Sequence, residues 1–79
     1  MSLLEKVLNV TSKIIKVPVG QLSDKSSMGN PYNWDSVAHV QLIVELESVF
    51  KVSFEFDELE HIVSVKAIVD SLKKKGANV

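Results

Sequence analysis

The stretch Ser36 to Phe50, SVAHVQLIVELESVF, limits what this chain can become more than any other. Val37, Val40, Ile43, Val44 and Phe50 recur near the i, i+3, i+4 spacing of a buried helical stripe, and Leu46 widens it. The spacing predicts one amphipathic helix, roughly 22 Å long at 1.5 Å per residue. Asp35 and Ser36 stand where it must begin, and both side chains accept hydrogen bonds from the N–H groups that a helix start leaves unpaired. The rest of the chain is arranged around this helix. Its serine, if it projects outward, lies at the positive end of the helix dipole, and function is expected there.

At 79 residues the chain is one small domain, residues 1–79, and its 46% hydrophobic and 24% charged composition is that of a folded protein. A domain this small buries only about 60% of its chain surface, so most Leu, Ile, Val and Phe must enter the core. Large buried catalytic pockets need more scaffold. The net charge of −1 argues against a nucleic-acid partner, since the only basic run is Lys73–Lys75. The absence of cysteine excludes disulfides, thiolate metal sites and thiol catalysis. No apolar run approaches a bilayer span, so membrane insertion is not expected. The opening MSLLEKVLNV lacks the features of a signal peptide, which makes a cytoplasmic monomer the default expectation.

Ser2, with Glu5 three residues on, forms a capping box for a first helix over Ser2–Lys16. Leu4, Val7, Leu8, Thr11, Ile14 and Ile15 trace its face, and Val17-Pro18 and Gly20 end it. Val17 to Trp34 is a long connection of the kind that is often functional, with Leu22, Met28, Tyr32 and Trp34 as apolar anchors and Asn30-Pro31 as a turn. After Phe50, the alternation of Val52, Phe54 and Phe56 would suit a strand. A lone strand leaves its backbone unpaired, so an extended connector is predicted instead. Asp57 to His61 reads as a short helical turn. Ser64 caps a last helix that carries Val65, Ile68, Val69 and Leu72, with Lys73–Lys75 suiting its C-terminal dipole and Gly76 stopping it. The fold class is therefore all-α: a four-helix bundle of three main helices and one short one, with a long loop between helix 1 and helix 2.

Nothing near Ser36 activates it as a hydrolytic nucleophile. His39 and His61 are the only histidines, there is no Gly-x-Ser-x-Gly elbow, and both rings are more simply read as surface residues. Asp57, Glu58, Glu60 and His61 cluster, but an acidic helix start of this kind is normally solvated and dipole-compensating rather than a metal site. The plain reading of Asp35-Ser36 is a helix cap. Its context says more, because the serine lies mid-chain, after a long loop, at the start of the helix with the densest apolar face.

In that order and spacing the chain resembles the acyl carrier protein family over nearly its whole length. Asp35-Ser36-Val37 occupies the place of the family's Asp-Ser-Leu motif. Val40, Leu42, Ile43, Leu46, Glu47 and Phe50 follow at the family's offsets, and Ile62-Val63-Ser64-Val65 matches the segment leading into the last helix. The resemblance implies a carrier with no catalysis of its own. Ser36 would bear 4′-phosphopantetheine, attached through a phosphodiester by a phosphopantetheinyl transferase that uses coenzyme A and magnesium. Asp35 would serve as motif residue and cap. The arm's thiol would hold acyl groups as thioesters for acyl-activating, acyltransferase or ketosynthase-type enzymes, raising the cargo's effective concentration at each of them. A negative phosphodiester at that helix start would be favoured by about 0.3–1 kcal/mol.

Some positions depart from the family. Val37 replaces the usual Leu, Asn33 stands where fatty-acid carriers often have Gly, and the large Trp34, read as a loop anchor on the core, directly precedes Asp35. Most telling, Ala38, His39, Gln41, Ser48 and Val49 are the less buried candidates on a helix that is strongly acidic in bulk fatty-acid carriers, leaving only Glu45 and Glu47. Partners that need a dense acidic face should dock poorly. A specialised carrier for fatty-acid-like, polyketide or other biosynthesis is expected, with a partner surface of Val37, Ala38, Gln41 and Val44 rimmed by Glu45 and Glu47. An aminoacyl or peptidyl carrier on the same fold, an unmodified helical interaction module and a small hydrolase remain open on the residues alone.

Overall fold

The computed structural model describes residues 2–29 and 33–77. Helix α1 spans Leu3–Ile15. The Ser2 hydroxyl accepts from the Glu5 N–H at 3.1 Å, and the Glu5 carboxylate accepts from the Ser2 N–H at 3.3 Å, completing the predicted capping box. The helix ends at Lys16 in the left-handed region, φ 59°, ahead of Pro18. Leu3, Val7, Thr11 and Ile15 are buried, while Leu4, Leu8 and Ile14 are half-buried at the margin. Thr11 meets the core without cost to its hydroxyl, which donates to the Val7 carbonyl at 2.8 Å.

The connection to the next helix is long, as predicted, and includes a short 3-10 turn at Val19–Gln21. Leu22 and Trp34 anchor it in the core, whereas Met28 is exposed. Tyr32 and the Asn30-Pro31 turn lie outside the described residues. The loop is sewn to the start of the last helix by backbone bonds: Met28 N–H to Val63 O at 2.8 Å, Val65 N–H to Ser26 O at 2.9 Å and Lys66 N–H to Asp24 O at 3.2 Å. Ser27 and Ser64 form an isolated β-bridge, and among the described residues there is no strand.

Helix α2 spans Ser36–Phe50, as predicted. Its orientation is not the predicted one. The buried residues are Ala38, His39, Leu42, Ile43 and Leu46, and Val37, Val40 and Val44 are 67%, 63% and 61% exposed. The predicted stripe holds only at Ile43 and Leu46, with Phe50 half-buried. The reason is that α2 is apolar nearly all round, so periodicity cannot choose a face. The choice falls to the larger side chains, because burying Leu42 and Leu46 removes more apolar surface from water than burying valines. Ala38 and His39, read as less buried, are turned inward by the same rotation.

The predicted connector after Phe50 is neither helix nor strand and is extended at Glu55, with Phe54 buried and Phe56 exposed, and a 3-10 turn at Phe56–Glu60 takes the place of the short helix. Side chains tie this segment down. Glu47 Oε2 accepts from the Phe54 N–H at 2.9 Å, and the Lys75 ammonium meets Glu58 Oε1 at 2.9 Å while lying 5.3 Å from the Phe54 ring centroid. Helix α3 spans Val65–Lys74; the Ser64 hydroxyl caps it by accepting from the Ala67 N–H at 3.1 Å, and Val65, Ile68, Val69 and Leu72 are buried as predicted. Gly76, at φ 83°, turns the chain so that the Ala77 N–H reaches the Leu72 carbonyl at 2.9 Å. The chain is an all-α bundle in which α1 packs against both α2 and α3.

Candidate functional site

The start of α2 is built by Asp35. Its backbone is extended, at φ −95° and ψ −177°, and its Oδ1 accepts from the Ala38 N–H at 2.8 Å. Its carbonyl takes the His39 N–H at 2.9 Å. The N–H groups of Ser36 and Val37, one position too early for acceptors within the helix, face the same pole. Ser36 is exposed there, beside a cleft lined by Met28, Gly29, Trp34 and Asp35. An exposed hydroxyl, forward N–H groups and the positive end of a helix dipole fit a phosphodiester.

Directly beneath lies Trp34, fully buried, whose Nε1–H donates to His39 Nδ1 at 3.0 Å. Reading His39 as a surface residue is thereby corrected: it is 7% exposed, and the Trp34 side chain holds it in the core. Burial holds its pKa below the ordinary histidine value. Because Nδ1 accepts, the ring proton of the neutral imidazole is on Nε2. His39 therefore offers Ser36 no basic nitrogen. His61 is exposed.

Of the surface residues expected to meet partners, Val37, Gln41 and Val44 are exposed and Glu45 and Glu47 are half-buried. Ala38 is buried. Val40, assigned to the core by its spacing, lies on the exposed face instead, so the outward side of α2 carries a line of valines. Two further residues stand at the pole: Met28, read from the sequence only as a loop anchor, and Gly29, which carries no sequence signal; the loop's bonds to α3 and the Gly29 N–H to the Trp34 carbonyl at 2.7 Å bring them to Ser36. Among the described residues no group of three or more His, Asp or Glu side chains is placed to hold a metal, and no helix is long and apolar enough to cross a membrane.

A family model described as the phosphopantetheine attachment site matches residues 5–72. An acyl carrier protein of Amoebophilus asiaticus is 30% identical over 73 residues, covering 92% of this chain and 91% of that protein. One of Chlorobium phaeobacteroides is 31% identical over 71 residues, covering 90% and 91%. A methylphloroacetophenone synthase of Cladonia uncialis is 29% identical over 75 residues, 95% of this chain, which spans only 3% of that much longer protein. The chain belongs to the phosphopantetheine attachment-site family, that of the acyl carrier proteins. Its cofactor is accordingly 4′-phosphopantetheine, and it is a carrier rather than an enzyme, serving biosynthetic enzymes in general.

Proposed function

We propose that Ser36 is the attachment residue and that this chain is a specialised carrier of acyl groups. The observation that carries the reading is the exposed Ser36 hydroxyl, placed directly after the Asp35 cap at the positive pole of α2. In the loading step Ser36 Oγ attacks the phosphorus of coenzyme A that bears the pantetheine. A new O–P bond forms, the pyrophosphate bond breaks and adenosine 3′,5′-bisphosphate leaves, while the serine proton passes to the transferase. The bound arm supplies a thiol that holds an acyl group as a thioester. The chain's own part is to keep the hydroxyl outside, to stabilise the phosphodiester with N–H groups at the helix start, and to present α2 to partners.

Specialisation is supported by the outward face of α2. Val37, Val40 and Val44 occupy it where a partner seeking negative charge would need carboxylates, and Glu47 is engaged with the Phe54 N–H. The partners this surface fits are acyl-activating, acyltransferase or ketosynthase-type enzymes with an apolar docking patch. Intact mass after incubation with coenzyme A, magnesium and a broad-specificity transferase tests the attachment. One phosphopantetheine on the native chain and none on a folded Ser36→Ala variant is expected, and an unmodified native chain would overturn the assignment. Turnover equal to that of an acidic carrier in fatty-acid elongation would overturn the specialisation.

A further inference from the structure

Met28 is 40% exposed although the loop around it is firmly held. Its N–H donates to the Val63 carbonyl at 2.8 Å. On either side the Val65 N–H meets the Ser26 carbonyl at 2.9 Å and the Gly29 N–H meets the Trp34 carbonyl at 2.7 Å. A fixed backbone therefore holds an apolar side chain out at the pole of α2. Unbranched and flexible to its tip, methionine adapts to irregular apolar surfaces. It forms one wall of the cleft that Ser36 also lines, with Gly29, Trp34 and Asp35. The cleft holds about 460 Å³, within the range of a small-molecule site. Among these walls only Asp35 carries a charge, and its Oδ1 already accepts from the Ala38 N–H.

A guest joined covalently to Ser36 is confined to this neighbourhood at high effective concentration, so a weak apolar contact is enough to hold it. The 4′-phosphopantetheine arm presents its groups in a fixed order from the serine: the phosphodiester, a carbon bearing two methyl groups, a hydroxyl, two amides and the thiol. The phosphodiester is drawn to the N–H groups at the helix start. The carbon with its paired methyls follows one oxygen and one methylene beyond the phosphorus, within reach of the cleft. It is the most apolar unit at the root of the arm, and Met28 is the exposed apolar side chain beside that root. Among the described residues of α2, Ser36 alone lines the cleft, so an arm rooted there leaves Val37, Val40 and Val44 uncovered for partners.

We propose that Met28 is a positioning residue for the arm: its side chain packs against the paired methyl groups and sets the direction in which the arm leaves Ser36. The proposal rests on the attachment reading above. To test it, the chain is labelled with carbon-13 at its methionine methyls and loaded from coenzyme A, with loading checked by intact mass. Met1 and Met28 are its only methionines, so a Met28→Leu variant assigns the signal. In the loaded native chain a nuclear Overhauser contact between the Met28 methyl and the paired methyls is expected. Those methyls should also relax faster than the thiol-bearing methylene at the arm's far end. In Met28→Ala this excess is expected to fall about fourfold, the factor for one buried methyl-sized group, and Met28→Leu, of similar volume, should restore it. A merely structural role for Met28 would not move the difference, since both signals lie on the arm. Absence of the contact in the loaded native chain would overturn the proposal, whether or not Met28→Ala folds. An excess unchanged in a folded Met28→Ala would do the same. If mass shows no addition at Ser36, the attachment reading fails and this proposal goes with it, whereas a loaded chain without the contact removes the proposal alone.

Discussion

Trp34 and His39 show how one hydrogen bond can make a polar ring part of a core. Buried without a partner, the indole N–H would cost about 1–3 kcal/mol. With His39 Nδ1 as acceptor, both rings stay inside. The arrangement makes stability depend on pH. Burial lowers the His39 pKa from 6.5, so between the folded value and 6.5 the unfolded chain binds more protons and stability rises with pH. The urea midpoint is therefore expected to be highest above that window and to fall as acid carries the folded His39 through its titration. Less of this loss should remain in His39→Asn, and a slope identical to that of the native chain would contradict it. Asp35 and Ser36 were legible in the sequence because helix capping is local chemistry. His39 was not, because its partner in the core is another side chain that no local pattern reveals.

At the scale of the element, α1 and α3 differ from α2 in a way that decides how well each could be read. The apolar residues of α3 keep to one side, so its buried face follows from spacing, and that of α1 nearly does. Helix α2 has apolar residues on every side, and its extent was legible while its rotation was not. Single substitutions can verify that rotation. Leu42→Ala is expected to cost about 2–5 kcal/mol by urea unfolding, whereas Val40→Ala should change stability by less than about 0.5 kcal/mol. Comparable losses at the two positions would mean the face is misassigned. On the exposed side, Val44→Glu should leave the fold intact while weakening docking to a partner enzyme by about tenfold, the effect of losing one moderate contact. Calorimetric titration against that enzyme measures the change.

In the whole molecule, α1 is the common neighbour of α2 and α3, and the space beside α2 is walled by the segment after Phe50. That architecture predicts uneven protection. Lys75→Ala should speed hydrogen exchange at residues 53–61, where Lys75 had held Glu58 and Phe54, with little change in α1. Uniform acceleration across the helices would show instead that the contact supports global stability. Lys75 also holds the Glu58 carboxyl below its usual pKa, so this restraint should weaken as acid protonates Glu58. The bundle and the long crossover were legible from breakers and caps, but the bonds from Asp24, Ser26 and Met28 to the start of α3 join residues too distant in the chain for periodicity to pair. Since Trp34 is the only tryptophan, all of the protein's tryptophan fluorescence originates beneath Ser36, on an indole bonded to an imidazole. An imidazolium quenches indole emission, so the molecule carries an optical gauge of the pole of α2, readable without a label as acid protonates His39.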